Sequence, residues 1–338
     1  MVSKKERIAF IDVLKGVAII CVVLGHIVDG YYKSNLYSNQ NHIFWMIFVI
    51  IYAFHMGLFF ILSGYLYGIV YAKLTISQKQ NKIKNQIKKL LYVYIVWCFF
   101  MWAFKLVLGK WANGDVRSID IVLIPVKSID PYWYLYVLII FYLFFSTRFI
   151  EKVRMKKVFI IVSIISIIAS WMPIIRIFEI SKVLYFAFFF YFGNYIAQNK
   201  VIFNKNILIM AILAIILIIL KFPSQIDRIG GINWLCAIGI SITLFWIFQS
   251  NEKICKKCKI LQICGRYSLE IYVMHCFLTA FFRVLFYRLG LNNVFYNIAL
   301  NLILSTILPL LCALCMKKLN IYDVFFNGIK IQEKFKKK

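Results

Sequence analysis

The chain has 338 residues, 63% of them hydrophobic, with 40 Lys and Arg against 13 Asp and Glu, a formal charge of +27 and a mean hydropathy of +0.81. That balance excludes a soluble globule, which needs far more polar surface than this chain can supply. The basic excess invites a nucleic-acid reading, but the bases are parcelled into short segments between long apolar runs, so nucleic acid is excluded as a partner and the charge is read as membrane topology.

Apolar runs near the ~20 residues that a membrane-crossing helix needs fall at 8–28, 43–71, 90–108, 132–149, 158–174, 180–198, 207–222, 232–250, 267–288 and 294–316. They predict an all-α, polytopic helical bundle of about ten transmembrane helices, with 158–174 and 207–222 the shortest. With the amino terminus inside, the segments 1–7, 72–89, 150–157, 199–206, 251–266 and 317–338 hold 27 bases, and the opposite loops hold six: Lys33, Lys110, Arg117, Lys127, Arg176 and Arg228. That asymmetry predicts both termini on the cytoplasmic side of the cell membrane. No soluble domain is expected, because the connecting segments are too short for a core of their own. The chain divides into a transmembrane domain over 1–320 and a basic tail over 321–338 that ends in Lys336, Lys337 and Lys338 and is expected on the inner membrane surface.

The first run carries Asp12, Lys15 and His26. Ionisable groups at membrane depth cost about 2.5 to 3.5 kcal/mol each on insertion scales and are kept there for chemistry or transport. Lys15 and His26, eleven residues apart, lie within about 20° of one helix face and about 16 Å apart along the axis. Lys15 is also one turn from Asp12, its expected charge partner. The run holds two charges and lacks a small-residue cleavage site after it, so it reads as a membrane anchor and not as a cleaved signal.

In the second run, Gly57, Gly64 and Gly68 fall near one face and read as a close-packing seam. The same run carries His55, Ser63 and Tyr65. Ser63 lacks the flanking glycines of a nucleophile elbow, which weakens it as a nucleophile. The fourth run opens with Pro131, Tyr132, Trp133 and Tyr134. Two readings compete for that tract, an aromatic belt at the outer interface and a platform on which a sugar stacks.

In the ninth run Ser268, Tyr272, His275 and Thr279 form one stripe at helical spacing and should face the bundle interior. Glu270 and Arg283 share that helix. Three histidines at membrane depth point to a polar cavity more than to three separate packing solutions. Cys255, Cys258 and Cys264 lie in a lysine-rich segment on the reducing side, without the fourth ligand that a zinc module supplies, so neither disulfides nor a metal are expected.

Four segments, in order, resemble the signature segments of the membrane-bound acyltransferase 3 family. They are Arg7 to Gly16 with Gly25 and His26; Phe54, His55 and Met56 through Phe59 and Phe60 to Ser63, Gly64, Tyr65 and Leu66; Tyr132 to Leu135; and Gly265 to Ser268 through Ile271 and Tyr272 to His275. The compact form is similar to the fucose 4-O-acetyltransferase branch. The resemblance implies transfer of an acetyl group, in some relatives a succinyl group, from coenzyme A to a hydroxyl of a surface or lipid-linked glycan. It places catalysis on His26 with Asp12, the donor on Lys15 and Arg7, and the acceptor among His55, Ser63, Tyr65, Trp133, Tyr272, His275 and Arg283. Lys15 stands where relatives usually have Arg and so lacks the planar fork of a guanidinium; Gly57 stands where many have Pro.

Acetyl-CoA enters as the acyl-donor substrate and no resident cofactor is expected. Partners are the donor, the glycan acceptor and the lipid bilayer, with self-association left open. Direct transfer and an acyl-histidine intermediate are not separated by these residues. A glycan exporter or flippase using the same polar stripe, or a non-catalytic scaffold, are the competing readings.

Overall fold

Long apolar runs with few prolines and no alternating polar pattern form helices here, because only a helix satisfies its own backbone polar groups away from water. The computed structural model describes residues 8–34, 41–108, 116–147, 153–172, 177–221, 231–291 and 293–328, with Ile150 and Ile175 besides. Arg7 and residues 329–338 lie outside them. Among the described residues there is no strand.

The helices, in chain order, are α1 (Ala9–Ser34), α2 (Asn41–Tyr71), α3 (Ile76–Leu108), α4 (Trp133–Phe145), α5 (Met155–Ala169), α6 (Ile180–Asn199), α7 (Ile207–Lys221), α8 (Gly231–Ser250), α9 (Glu252–Lys257), α10 (Lys259–Arg266), α11 (Ser268–Arg288), α12 (Val294–Lys318) and α13 (Tyr322–Phe326). Among the described residues, seven candidate spans are long and apolar enough to cross a membrane: Ala9–Ser34, His42–Tyr71, Ile76–Val107, Ile177–Asn199, Gly231–Ser250, Ser268–Arg288 and Val294–Lys318. The other three expected spans correspond to shorter helices, α4, α5 and α7, of 13, 15 and 15 residues. Apolar side chains crowd the outside of the bundle. Ile160, Ile161, Ile164 and Ile168 of α5, and Ile209, Ile212, Leu213, Ile216 and Ile219 of α7, are exposed. Such faces are stable against lipid and not against water.

Small residues set the closest helix contacts. A Cβ on Gly64 would stand 1.7 Å from the Phe190 carbonyl oxygen, and one on Gly193 would stand 1.9 Å from the Ile61 oxygen, so α2 and α6 touch backbone to backbone. Gly68 continues this seam against Ala197 and Asn194, and Gly57 faces the Phe189 ring. The predicted glycine seam is therefore real, and α6 is its partner. A second seam joins α1 to α10, where a Cβ on Gly16 would meet the Leu261 oxygen at 2.1 Å and one on Gly265 the Asp12 oxygen at 1.8 Å. It pins the lysine-rich α9–α10 segment beside the first half of α1. α1 also packs against α2, α11 and α12, so it runs through the interior of the fold.

Polar side chains join α11 to α12. Asn301 Nδ2 donates to the Thr279 oxygen (3.1 Å), and Ser305 Oγ donates to Asn301 Oδ1 (2.8 Å). Asn297, Asn301 and Ser305 recur every four residues and are buried, so the stripe faces α11 and not lipid.

Residues 117–132 are tied to the bundle on one side, with Ile124, Ser128, Ile129 and Tyr132 buried while Ser118, Ile119, Val122 and Lys127 stay exposed. Their backbone oxygens are taken by side chains of the spans: Tyr94 Oη donates to Ile124 (2.8 Å) and Tyr136 Oη to Pro125 (2.8 Å). The start of α4 is held inside the bundle: Tyr132 Oη donates to the Val273 oxygen of α11 at 2.6 Å. Tyr132 is 0% exposed, so the aromatic-belt reading is wrong for it. Sequence hydropathy could not show this, because an aromatic tract at a span's start looks alike at an interface and inside a bundle.

The described part of the stretch after α12 packs on the bundle: α13 docks against α3 and α11. Phe326 is fully buried beside Trp97 (ring centroids 5.6 Å), and Tyr92 Oη donates to the Val324 oxygen (2.5 Å). Tyr322 Oη donates to Glu270 Oε1 at 2.6 Å, and Lys317 Nζ lies 4.3 Å and 4.6 Å from the centres of the Tyr267 and Tyr322 rings.

Candidate active site

The α1 and α11 contact brings two of the three membrane-depth histidines together. His26 and His275 have ring centroids 5.0 Å apart at an angle of 56°. His275 is fully buried, and its Nδ1 lies 2.7 Å from the Tyr272 oxygen and 3.1 Å from that of Ile271. A carbonyl only accepts, so Nδ1 carries the proton and Nε2 presents a lone pair. Nε2 lies 3.2 Å from the sulfur of the next residue, Cys276. His55 is oriented likewise, with Nδ1 donating to the Ile51 oxygen at 2.7 Å. Tyr52 links it to α1: its ring is 4.8 Å from that of His55, and a Cβ on Gly25 would come within 3.1 Å of it. Glycine beside His26 thus lets an aromatic ring close against the helix.

An aromatic wall continues from the histidines. Tyr272 lies 6.1 Å from His275, 5.6 Å from Tyr134 and 6.2 Å from Tyr132, ring to ring. Two hydroxyl-to-carbonyl bonds run in opposite directions and lock α4 to α11: Tyr132 to Val273, described above, and Tyr272 Oη to the Pro131 oxygen at 2.5 Å. Ser63 Oγ lies 2.7 Å from Tyr134 Oη, a pairing that gives this serine a structural partner in place of a base. Trp133 stacks on Phe186 (5.5 Å, 26°) and has Lys182 Nζ 4.7 Å from its ring centre. Lys182 in turn pairs with buried Glu179 at 2.7 Å, which accepts from Ser128 Oγ at 2.6 Å. Tyr65 stands apart, edge-on to Phe245 (5.0 Å) and 6.1 Å from Phe10.

The other end of α1 is charged. Arg266 Nε donates to Asp12 Oδ2 at 3.2 Å, and Arg266 Nη2 donates to Gln262 Oε1 at 3.0 Å. Asp12 is fourteen residues from His26, about 21 Å along the axis, so the two cannot touch the same reacting atoms. Lys15 is half-buried one turn above Asp12. Arg283 is buried eight residues beyond His275 on α11, with Asp29 and Tyr31 of α1 as electrostatic neighbours; Asp29 pairs with Lys33 at 2.7 Å. A groove of about 520 Å³ lined by Trp97, Phe100, Ala103, Phe104, Val107 and Phe277 opens between α3 and α11. It is apolar, and Phe277 alone links it to the histidines in sequence.

Of the residues singled out from the sequence, His26, His275, Tyr272 and His55 form one neighbourhood. Ser63 and Trp133 belong to the wall behind it, Asp12 and Lys15 lie at the far end of α1, and Arg283 lies toward the other mouth. Sequence reasoning missed Arg266, Cys276 and the Ser128, Glu179 and Lys182 set. The signal available for Arg266 was its place in the Gly265 to Ser268 segment that carries the family resemblance.

Imidazoles of His55 and His275 tied to backbone oxygens, on helices whose outer faces suit lipid, belong to a multi-pass membrane protein. Comparison with known proteins narrows this further. Residues 8–317 match the acyltransferase domain of the acyltransferase 3 family. The chain belongs to that family. It is also 27% identical over 173 residues to nodulation protein NolL of Sinorhizobium fredii (strain NBRC 101917 / NGR234), a match covering 49% of this chain and 44% of that protein. The matched part is thus less than half the length of that relative. No solved structure matches the chain.

Proposed function

We propose that this acyltransferase crosses the cell membrane ten times with both termini cytoplasmic and moves an acetyl group from acetyl-CoA to a hydroxyl of a surface or lipid-linked glycan. The observation that carries the reading is the arrangement along α1, with Asp12, Lys15 and Arg266 at one end and the His26 and His275 pair about 16 Å from Lys15. Acetyl-CoA is cytosolic and strongly anionic, which suits an inner mouth built from Lys15, Arg7 and the basic α9–α10 segment. Its flexible arm then carries the thioester toward His26.

The acceptor approaches from the opposite mouth, past Arg283, to His55, Tyr272 and His275, with Ser63 and Trp133 supporting that wall. Tyr65, packed farther along α2 against Phe245 and Phe10, is set back from that wall. His26 takes the proton from the acceptor hydroxyl. The oxygen attacks the acetyl carbon, the carbon–sulfur bond breaks, and the departing thiolate recovers the proton from His26. General-base help of this kind contributes about 10² to 10⁴ in rate. Asp12 is a positioning residue in this scheme, holding Arg266 at the inner mouth. An exporter or scaffold accounts less well for a chain that matches an acyltransferase family from 8 to 317.

The scheme needs donor and acceptor on opposite sides, and thiol labelling tests that. Ser77 and Ser118 are both exposed. Single cysteines introduced there, in a background lacking the native nine, are treated on intact cells with an impermeant thiol reagent. Only the Ser118 site should label. Labelling at Ser77 inverts the orientation, and labelling at both breaks the span count.

A further inference from the structure

Cys276 plays no part in the proton transfer above, yet it is placed beside both histidines. One ligating atom each from His26, His275 and Cys276 lie within 4.8 Å of one another, and no other such group of His, Cys, Asp and Glu occurs among the described residues. We propose that these three side chains form a site for a thiophilic divalent ion of the zinc class, and that filling it silences the enzyme by taking His26 out of proton transfer.

The donor set argues for that ion class. Two imidazoles and one thiolate are borderline-soft ligands that zinc, cobalt and cadmium accept and that magnesium and calcium do not. The geometry is nearly assembled. Tetrahedral zinc with bonds of about 2.0 to 2.3 Å sets its ligand atoms roughly 3.5 Å apart. The Cys276 sulfur and His275 Nε2 already stand 3.2 Å apart. The remaining separations, at most 4.8 Å, leave roughly 1 Å to close. His275 is prepared for the role, since its Nδ1 proton is engaged by the Tyr272 oxygen, which leaves Nε2 free to ligate. A metal-bound histidine is commonly fixed by such an outer hydrogen bond. His26 and Cys276 are each half-buried, so a fourth position is left to water or an anion. On binding, the Cys276 sulfur–hydrogen bond breaks, a sulfur–metal bond forms, and the proton leaves to solvent. The thiolate also cancels one of the ion's two charges, which lowers the cost of holding it at membrane depth.

Binding of the ion stands on the geometry alone, while its inhibitory effect rests on the reading of His26 as the base; the experiment separates the two. Purified full-length protein in detergent is titrated with cobalt(II), which reports thiolate ligation through a charge-transfer band, and zinc is then added to displace it. One equivalent of cobalt should produce the band and zinc should remove it. Cys276→Ser and His275→Ala should weaken binding at least about 100-fold, since disturbing an outer partner alone costs 10- to 100-fold. In parallel, zinc should inhibit acyl transfer by the wild type, a chelator should restore it, and Cys276→Ser should keep its transfer activity while shifting the inhibitory concentration upward by the same factor. A folded wild type without the band overturns the site, as does a band that survives Cys276→Ser, which would belong to another cysteine. A site that fills without loss of transfer overturns the inhibition and counts against His26 as base. Transfer that a chelator abolishes and zinc restores does the same, by making the ion catalytic.

Discussion

His26→Ala is expected to lose acyl transfer by at least about 10²-fold, the lower range of what a positioned base contributes, with the protein still inserted and folded. His26 is half-buried on α1, and its ring meets His275 with centroids 5.0 Å apart. Alanine therefore removes the imidazole without opening a backbone contact or making the span less apolar. His26→Gln separates the base from its shape, since an amide fills similar space and takes no proton at neutral pH; it should be as inactive as alanine. Near-normal transfer by either variant at normal protein level would remove His26 from the chemistry.

The second large effect is structural. Gly64→Ala and Gly193→Ala should each abolish the folded bundle, because the added carbon would stand within 2 Å of a carbonyl oxygen on the facing helix, at 1.7 Å and 1.9 Å. Overpacking that side chains can absorb costs about 1 to 3 kcal/mol, whereas here only movement of α2 against α6 makes room. Gly57→Ala is the control. Its new methyl would meet the Phe189 ring at 3.0 Å and the Ala237 methyl at 3.2 Å, both side-chain atoms that can shift. Size-exclusion profiles and melting temperatures in detergent should show Gly57→Ala close to wild type and the other two lost or aggregated. A monodisperse Gly64→Ala protein with an unchanged melting temperature contradicts the seam.

Residues within one helix were legible in the sequence; residues that find partners across helices were not. The spacing of Lys15 and His26, the glycine face of α2 and the interior stripe of α11 follow from helical periodicity alone. The partner of Asp12 lies 254 residues away on α10, and no periodicity links the two. Cys276 read as an ordinary apolar residue of a span, and only the approach of α1 to α11 places His26 beside it. The anchoring of 117–132 was hidden for a similar reason. It depends on hydroxyls of Tyr94 and Tyr136 that reach backbone oxygens, and a tyrosine's sequence position does not tell where its hydroxyl goes. The docking of α13 was hidden likewise, since Phe325 and Phe326 meet Phe100 and Trp97 of α3 and no periodicity links them.

The central claim is that the chain adds an acetyl ester to a glycan. Mass analysis of surface and lipid-linked glycans, from cells with and without the protein, tests it most directly. The account predicts one acetyl increment per modified sugar, present only with the active protein, absent with His26→Ala, and removed by mild alkali. Glycans of identical mass with and without the protein, or an increment that appears unchanged with His26→Ala, would contradict it.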